Sequence, residues 1–86
     1  LTASLTPEDV WPNPVSDVLN IDFSIHASSG RALEVTVVDA SGKEILRFTQ
    51  NDSREVIDVS SWPSGIYILN GTDDKGRSFS VKVVKQ

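Results

Sequence analysis

Val18-Leu19-Asn20-Ile21-Asp22-Phe23-Ser24-Ile25-His26 alternates apolar and polar side chains without a break from Leu19 onward. Successive side chains on a β-strand point to opposite faces. Leu19, Ile21, Phe23 and Ile25 therefore share one face, and Asn20, Asp22, Ser24 and His26 the other. A helix would need apolar residues three and four apart, and that spacing is nearly absent from the chain. The stretch reads as a half-buried strand, and the same period recurs on either side of it.

Downstream, Ala32 to Asp39 sets Leu33, Val35 and Val37 against Glu34 and Thr36. Glu44 to Gln50 turns Leu46 and Phe48 inward, and Arg54 to Val59 turns Ile57 and Val59 inward with Asp58 outward. Arg77 to Val84 sets Phe79, Val81 and Val83 opposite Ser78, Ser80 and Lys82, and Lys85 and Gln86 are expected to project past the end of that strand. Ile66 to Leu69 is apolar at every position, the pattern of a central strand covered on both sides. Gly-bearing polar turns separate the runs: Ser28-Ser29-Gly30, Asp39-Ala40-Ser41-Gly42-Lys43 and Asp73-Asp74-Lys75-Gly76. Asn51-Asp52-Ser53 is another turn, and Trp62-Pro63-Ser64-Gly65 breaks the chain before the central strand. Asn70-Gly71 competes as a hairpin signal. The turn at Asp74 to Gly76 is preferred because it leaves both flanking strands long enough to pair, with Gly71 at a bulge or close backbone contact.

With a short candidate edge strand near Glu8 to Trp11, the chain has about seven strands at sandwich spacing. The expected fold is all-β, an immunoglobulin-like β-sandwich of antiparallel strands, with an open barrel as the alternative. Leu19, Ile21, Phe23, Val35, Val37, Leu46, Phe48, Val59, Tyr67, Phe79, Val81 and Val83 are its expected core. Leu1 to Thr6 is small and polar and reads as the end of a linker. Pro12 and Pro14 lack the ladder donor, so their segment is an edge or a crossover.

The chain has 86 residues, 38% hydrophobic and 23% charged, the balance of a folded chain and the length of one domain. A domain of this size leaves little room for a deep cleft beside its core. A net charge of -4 speaks against nucleic acid as a partner, which demands clustered Lys and Arg. With no Cys, disulfides, thiolate nucleophiles and zinc-thiolate sites are excluded. No apolar run reaches the roughly 18–20 residues of a membrane-spanning helix. Without an initiator Met or a signal-peptide pattern, the chain reads as a fragment whose export signal, if it has one, lies further upstream.

Candidate chemical groups each have a plainer reading. His26 falls on the polar face of its strand, and no Ser sits in a nucleophile-elbow pattern, so no catalytic residue is assigned. Asp52, Asp58, Asp73 and Asp74 lack EF-hand spacing and read as turn formers, so neither a metal nor a cofactor is expected. Asn51 and Asn70 fit the glycosylation sequon but read as turn residues. Trp11, Trp62 and Tyr67 are candidates for a sugar-binding platform. The preferred reading puts Trp62 and Tyr67 at the ends of the core and leaves Trp11 partly exposed.

Two features exceed a generic sandwich: the Trp11-Pro12-Asn13-Pro14 segment, and the basic end, Lys82, Lys85 and Gln86, on an otherwise acidic chain. In this order they resemble the type IX secretion C-terminal sorting domain of the Bacteroidota. That family opens with a Pro-Asn-Pro box and an apolar alternation, matched by Pro12-Asn13-Pro14 and Val18-Leu19-Asn20-Ile21. Its Asp-x-x-Gly-Lys turn is matched by Asp39 to Lys43, including Gly42. Its Leu-x-x-Gly-x-Tyr box is matched by Trp62-Pro63-Ser64-Gly65-Ile66-Tyr67, with Trp in place of Leu and Ile57-Asp58-Val59-Ser60 ahead of it. A final strand with spaced Lys residues is matched by Lys82-Val83-Val84-Lys85-Gln86. The resemblance covers Trp11 to Gln86, and Asn70-Gly71 departs from it where the family strand is commonly apolar.

The resemblance implies a non-enzymatic C-terminal signal that directs a cargo across the outer membrane. It implies an N-terminal cargo domain on the same chain, a type IX outer-membrane translocon, and a gingipain-like sortase peptidase that removes the domain and attaches the cargo to the cell surface. Transit through the periplasm is implied as well. Under this reading residues 1–10 are the linker end with the candidate edge strand, and 11–86 the sorting domain. Its signal residues are Pro12, Asn13, Pro14, Leu19, Ile21, Gly42, Lys43, Gly65, Tyr67, Lys82, Lys85 and Gln86. The alternative is a non-catalytic accessory module that binds carbohydrate or protein on behalf of a secreted enzyme.

Overall fold

A computed structural model describes residues 5–23, 33–50, 53–73, 76 and 78–86. Among the described residues, seven strands follow one 3-10 turn at Pro7–Asp9: β1 (Val10–Trp11), β2 (Val18–Asp22), β3 (Leu33–Asp39), β4 (Glu44–Thr49), β5 (Arg54–Asp58), β6 (Gly65–Asp73) and β7 (Ser78–Lys85). They form two antiparallel sheets, β1-β2-β5 and β4-β3-β6-β7, so the fold is a sandwich and not a barrel. Every sequence-read strand run has a counterpart among them. His26, Asp52 and Asp74 lie outside the described residues, as does the Ser28-Ser29-Gly30 turn.

The alternation predicts which face of each strand is buried. Leu19, Ile21, Phe23, Val35, Val37, Val59, Tyr67, Val81 and Val83 are all buried. Leu46, Phe48 and Phe79 are partly buried and pack against that core, as does Trp62. Burial of each large apolar side chain contributes roughly 1.5–3 kcal/mol, and β-branched Val and Ile fit the pleated surface. Leu69, Leu33, Val10, Val15 and Leu5 complete the core. Leu5 belongs to the stretch read as a linker end, yet it is buried.

β6 runs through Asn70-Gly71 to Asp73, and the chain turns beyond it, with the Gly76 N–H donating to the Asp73 carbonyl at 3.1 Å. Gly71 pairs with Phe79 across β6 and β7, and the Phe79 ring lies where a Cβ on Gly71 would go. That close approach accounts for a glycine within a strand.

One expectation is overturned. Ile66 to Leu69 is central in its sheet, between β3 and β7, but is not covered on both sides. Ile66 is 46% exposed and Ile68 half-buried, because only one face of the four-stranded sheet meets the other sheet. The outer face is divided along its length. At the end where β6 begins it carries Val38, Ile66, Ile68 and Val84, with exposed Ile45 nearby. Toward the opposite end come Thr36, Asn70 and Ser80, then Glu34, Thr72 and Ser78.

Candidate functional site

The segment between β1 and β2 is stitched to the C-terminal end of β7. Pro12 and Pro14, both preceded by cis peptide bonds, flank Asn13. The Asn13 side-chain amide does the joining: Nδ2 donates to the Lys82 carbonyl at 2.8 Å, and Oδ1 accepts from the Val84 N–H at 2.9 Å. Two residues on, Val15 takes over with its backbone. Its N–H donates to the Val84 carbonyl, and its carbonyl accepts from the Gln86 N–H, each at 2.8 Å. Val15 thus forms a parallel bridge with Lys85, and its side chain is buried. The Ser16 hydroxyl adds a bond to Gln86 Oε1 at 3.2 Å.

Lys85 departs from its expected place. Together with Gln86 it was expected to project past the strand end, but it is the last residue of β7, paired with Gly65 and 8% exposed. The reason is parity. Lys85 shares the inner face of the strand with Val81 and Val83, so its stem packs inward. Its ammonium reaches the Gln86 carbonyl oxygen at 2.8 Å, as long amphipathic side chains do at a core margin. Lys82, on the other face, is exposed as the alternation requires.

Two further boxes meet beside this clasp. In the Asp39 to Lys43 turn, Asp39 Oδ1 accepts from the Ser41 N–H at 2.9 Å, the Ser41 hydroxyl at 2.6 Å and the Lys43 N–H at 3.0 Å. These bonds favour the carboxylate, and the Ser41 hydroxyl most of all holds Asp39 below the usual carboxylate range. Gly42 has φ +89°, a conformation that suits glycine. In the second box Gly65 has φ +152°, and the Tyr67 hydroxyl donates to the Pro63 carbonyl at 2.6 Å. The Tyr67 ring lies 5.0 Å, centroid to centroid, from that of Trp62. An open depression of about 470 Å³ between the two boxes is lined by Asp39, Lys43, Ile45, Pro63, Ile66 and Tyr67, among others.

Register explains the convergence. Gly65 pairs with Lys85, Tyr67 with Val83, and Asp39 with Tyr67, so the boxes reach one end of the four-stranded sheet. Pro12, Asn13, Pro14, Gly42, Lys43, Gly65, Tyr67, Lys82, Lys85 and Gln86 belong to this region. Leu19 and Ile21 do not: they are core residues of the three-stranded sheet. The aromatic candidates are also divided. Trp62 pairs with Tyr67, whereas Trp11, 38% exposed, faces Arg54, whose guanidinium carbon lies 5.5 Å from the ring centroid. Asp58 caps its own turn by accepting from the Ser60 N–H at 2.9 Å and hydroxyl at 2.6 Å. Among the described residues no three His, Asp or Glu side chains gather at a metal-binding distance. Sequence reasoning missed Val15 and Ser16, although an apolar residue directly after Pro14, outside any alternating run, was a visible signal.

The profile of a secretion system C-terminal sorting domain matches residues 9–86. The chain belongs to this family. A C-terminal sorting domain is a type IX secretion signal, so this chain serves a cargo on the same polypeptide and the secretion machinery that exports it. The cargo's destination is across the outer membrane, at the cell surface or released from it. Sorting domains are not a catalytic family, and the match does not favour an accessory binding module. No curated protein matches the chain.

Proposed function

We propose that this sorting domain is recognised folded, by the outer-membrane translocon, after Sec-dependent transit through the periplasm. A gingipain-like sortase then removes it and attaches the cargo to the cell surface. The recognised region is the end of the four-stranded sheet where the Pro-Asn-Pro box, the Asp39–Lys43 turn, the Gly65–Tyr67 box and the C-terminal residues meet. One observation carries this reading: boxes more than sixty residues apart in sequence are joined there by Asn13 and Val15. An unfolded chain would not assemble that surface. Lys43 and Lys82 are its exposed cations. The sorting unit is residues 11–86, and residues 1–10 lead into it, with Leu5 and Val10 packed on its core.

The experiment is a reporter carrying a Sec signal at its N terminus and this chain at its C terminus, expressed in a bacterium that secretes by type IX. The reporter is expected at the cell surface or in the medium. In a strain lacking the translocon it should remain in the periplasm. A periplasmic reporter in both strains would sink the proposal.

A further inference from the structure

The bonding of Asn13 exceeds what a turn residue needs, and it points to a specific task. β7 is the edge strand of its sheet. The backbone groups on its open side are those at alternate residues, and near the C terminus these are the Lys82 carbonyl, the Val84 N–H and carbonyl, and the Gln86 N–H. Unpaired groups of this kind invite pairing with other chains, and terminal residues fray unless they are tied down. Residues 12–14 make no backbone bond to this edge, which backbone pairing first reaches at Val15. Asn13 solves the problem with its side chain. A primary amide carries a donor and an acceptor on one carbon, as a peptide group does. It meets the Lys82 carbonyl and the Val84 N–H, and Val15 then continues the edge with backbone bonds.

We infer that Asn13 is the positioning residue of the C-terminal sorting strand, its amide acting as a strand surrogate that holds Lys82 to Gln86 in the sheet and in the pose that the export machinery reads. The inference rests on the sorting reading above and assigns the middle residue of the Pro-Asn-Pro box a role in presenting the far end of the chain. The requirement is a primary amide at this reach. Asp keeps the shape but has no donor, and sets a carboxylate against the Lys82 carbonyl. Ala leaves both β7 groups without their partner.

The test compares Asn13→Ala and Asn13→Asp with Asn20→Ala in the 86-residue chain and in the reporter fusion. Asn20 is a matched control, because its Nδ2 also bonds a backbone carbonyl, that of Trp11 at 3.2 Å, but in the three-stranded sheet. Amide exchange in the isolated chain reads the strand directly. Asn13→Ala should speed exchange at Val84 and Gln86 by about tenfold, as expected for losing a pair of ordinary hydrogen bonds. Exchange at Leu19 and Ile57 should not change. Export of the reporter should fall several-fold for both Asn13 variants and stay at the unsubstituted rate for Asn20→Ala. Asn13→Asp guards against a general packing defect, since its volume is unchanged. Unaltered exchange at Val84 and Gln86 would overturn the inference. So would normal export despite faster exchange, or an equal export loss in Asn20→Ala. If the unsubstituted fusion is not exported, the sorting reading fails instead, and the exchange measurement alone decides whether Asn13 holds the strand.

Discussion

Single residues in this domain act through very local chemistry. Phe23 is fully buried between the sheets, so Phe23→Ala removes its contacts and leaves a void. The expected cost is about 3–5 kcal/mol, measured as a lower urea midpoint. Gly71 presents the opposite problem. A methyl group there would enter the space of the Phe79 ring, which is held across the strand pair by its own packing. Gly71→Ala should therefore destabilise by about 1–3 kcal/mol, and Gly71→Ala with Phe79→Leu should recover part of that loss. Asp39 offers a titration test. Its carboxyl is held below the ordinary range, chiefly by the Ser41 hydroxyl and next by the Lys43 N–H. A depressed folded value means the turn's contribution is present above the unfolded pKa and is lost as pH falls through the folded one. Carbon-detected NMR should place the Asp39 midpoint below that of an ordinary aspartate, and Ser41→Ala should raise it. An unmoved midpoint would show that the hydroxyl does not set it.

At the scale of elements, β7 carries two lysines with different work. Lys82 is on the outer face and exposed, whereas Lys85 is on the inner face with its stem covered. Replacing both at once would confound recognition with packing. Lys82→Glu alone should shift stability by less than about 1 kcal/mol, as exposed charges do, yet reduce export if the partner reads positive charge. Lys85→Ala should lower stability by about 1–2 kcal/mol through its lost methylenes. Stability by urea melt and export by reporter assay separate the two effects, and a Lys82→Glu variant that exports normally would remove charge from the account. The strands themselves were legible because a period of two needs only a local window. Their partners were not. Nothing between Pro14 and Val18 announces that Val15 will lie beside Lys85, since that bridge depends on how the whole chain returns. The exposure of Ile66 and the burial of Lys85 were misread for related reasons. Four apolar residues in a row do not say how many faces are covered, and a terminal Lys looks solvated until its parity with Val81 and Val83 is counted. The resemblance supplied the boxes but not their convergence, which follows from the β3-β6-β7 register.

For the whole molecule, the segment ahead of β1 is packed into the fold, and this bears on where a peptidase can separate domain from cargo. Leu5 is 5% exposed within the core, and the Thr6 N–H donates to Asp9 Oδ2 at 2.9 Å at the start of the 3-10 turn. Val10 follows, buried and paired with Ile21. A peptidase needs an extended segment free of the fold, and a cut after Leu5 would require pulling that side chain out of the core. Removing a buried Leu typically costs about 2–5 kcal/mol, so the bonds from Leu5 onward are protected while the domain is folded. We therefore expect sortase cleavage at or before the Ser4–Leu5 bond, leaving the released cargo with no residue beyond Ser4. Mass spectrometry of the cargo's C-terminal peptide reads this directly. Leu5→Ser should loosen the segment and allow additional cuts between Leu5 and Pro7, which would appear as a second, longer cargo terminus. A native cargo terminus between Val10 and Lys85 would mean that cleavage takes place on an unfolded domain, and recognition of a folded surface would have to be abandoned with it.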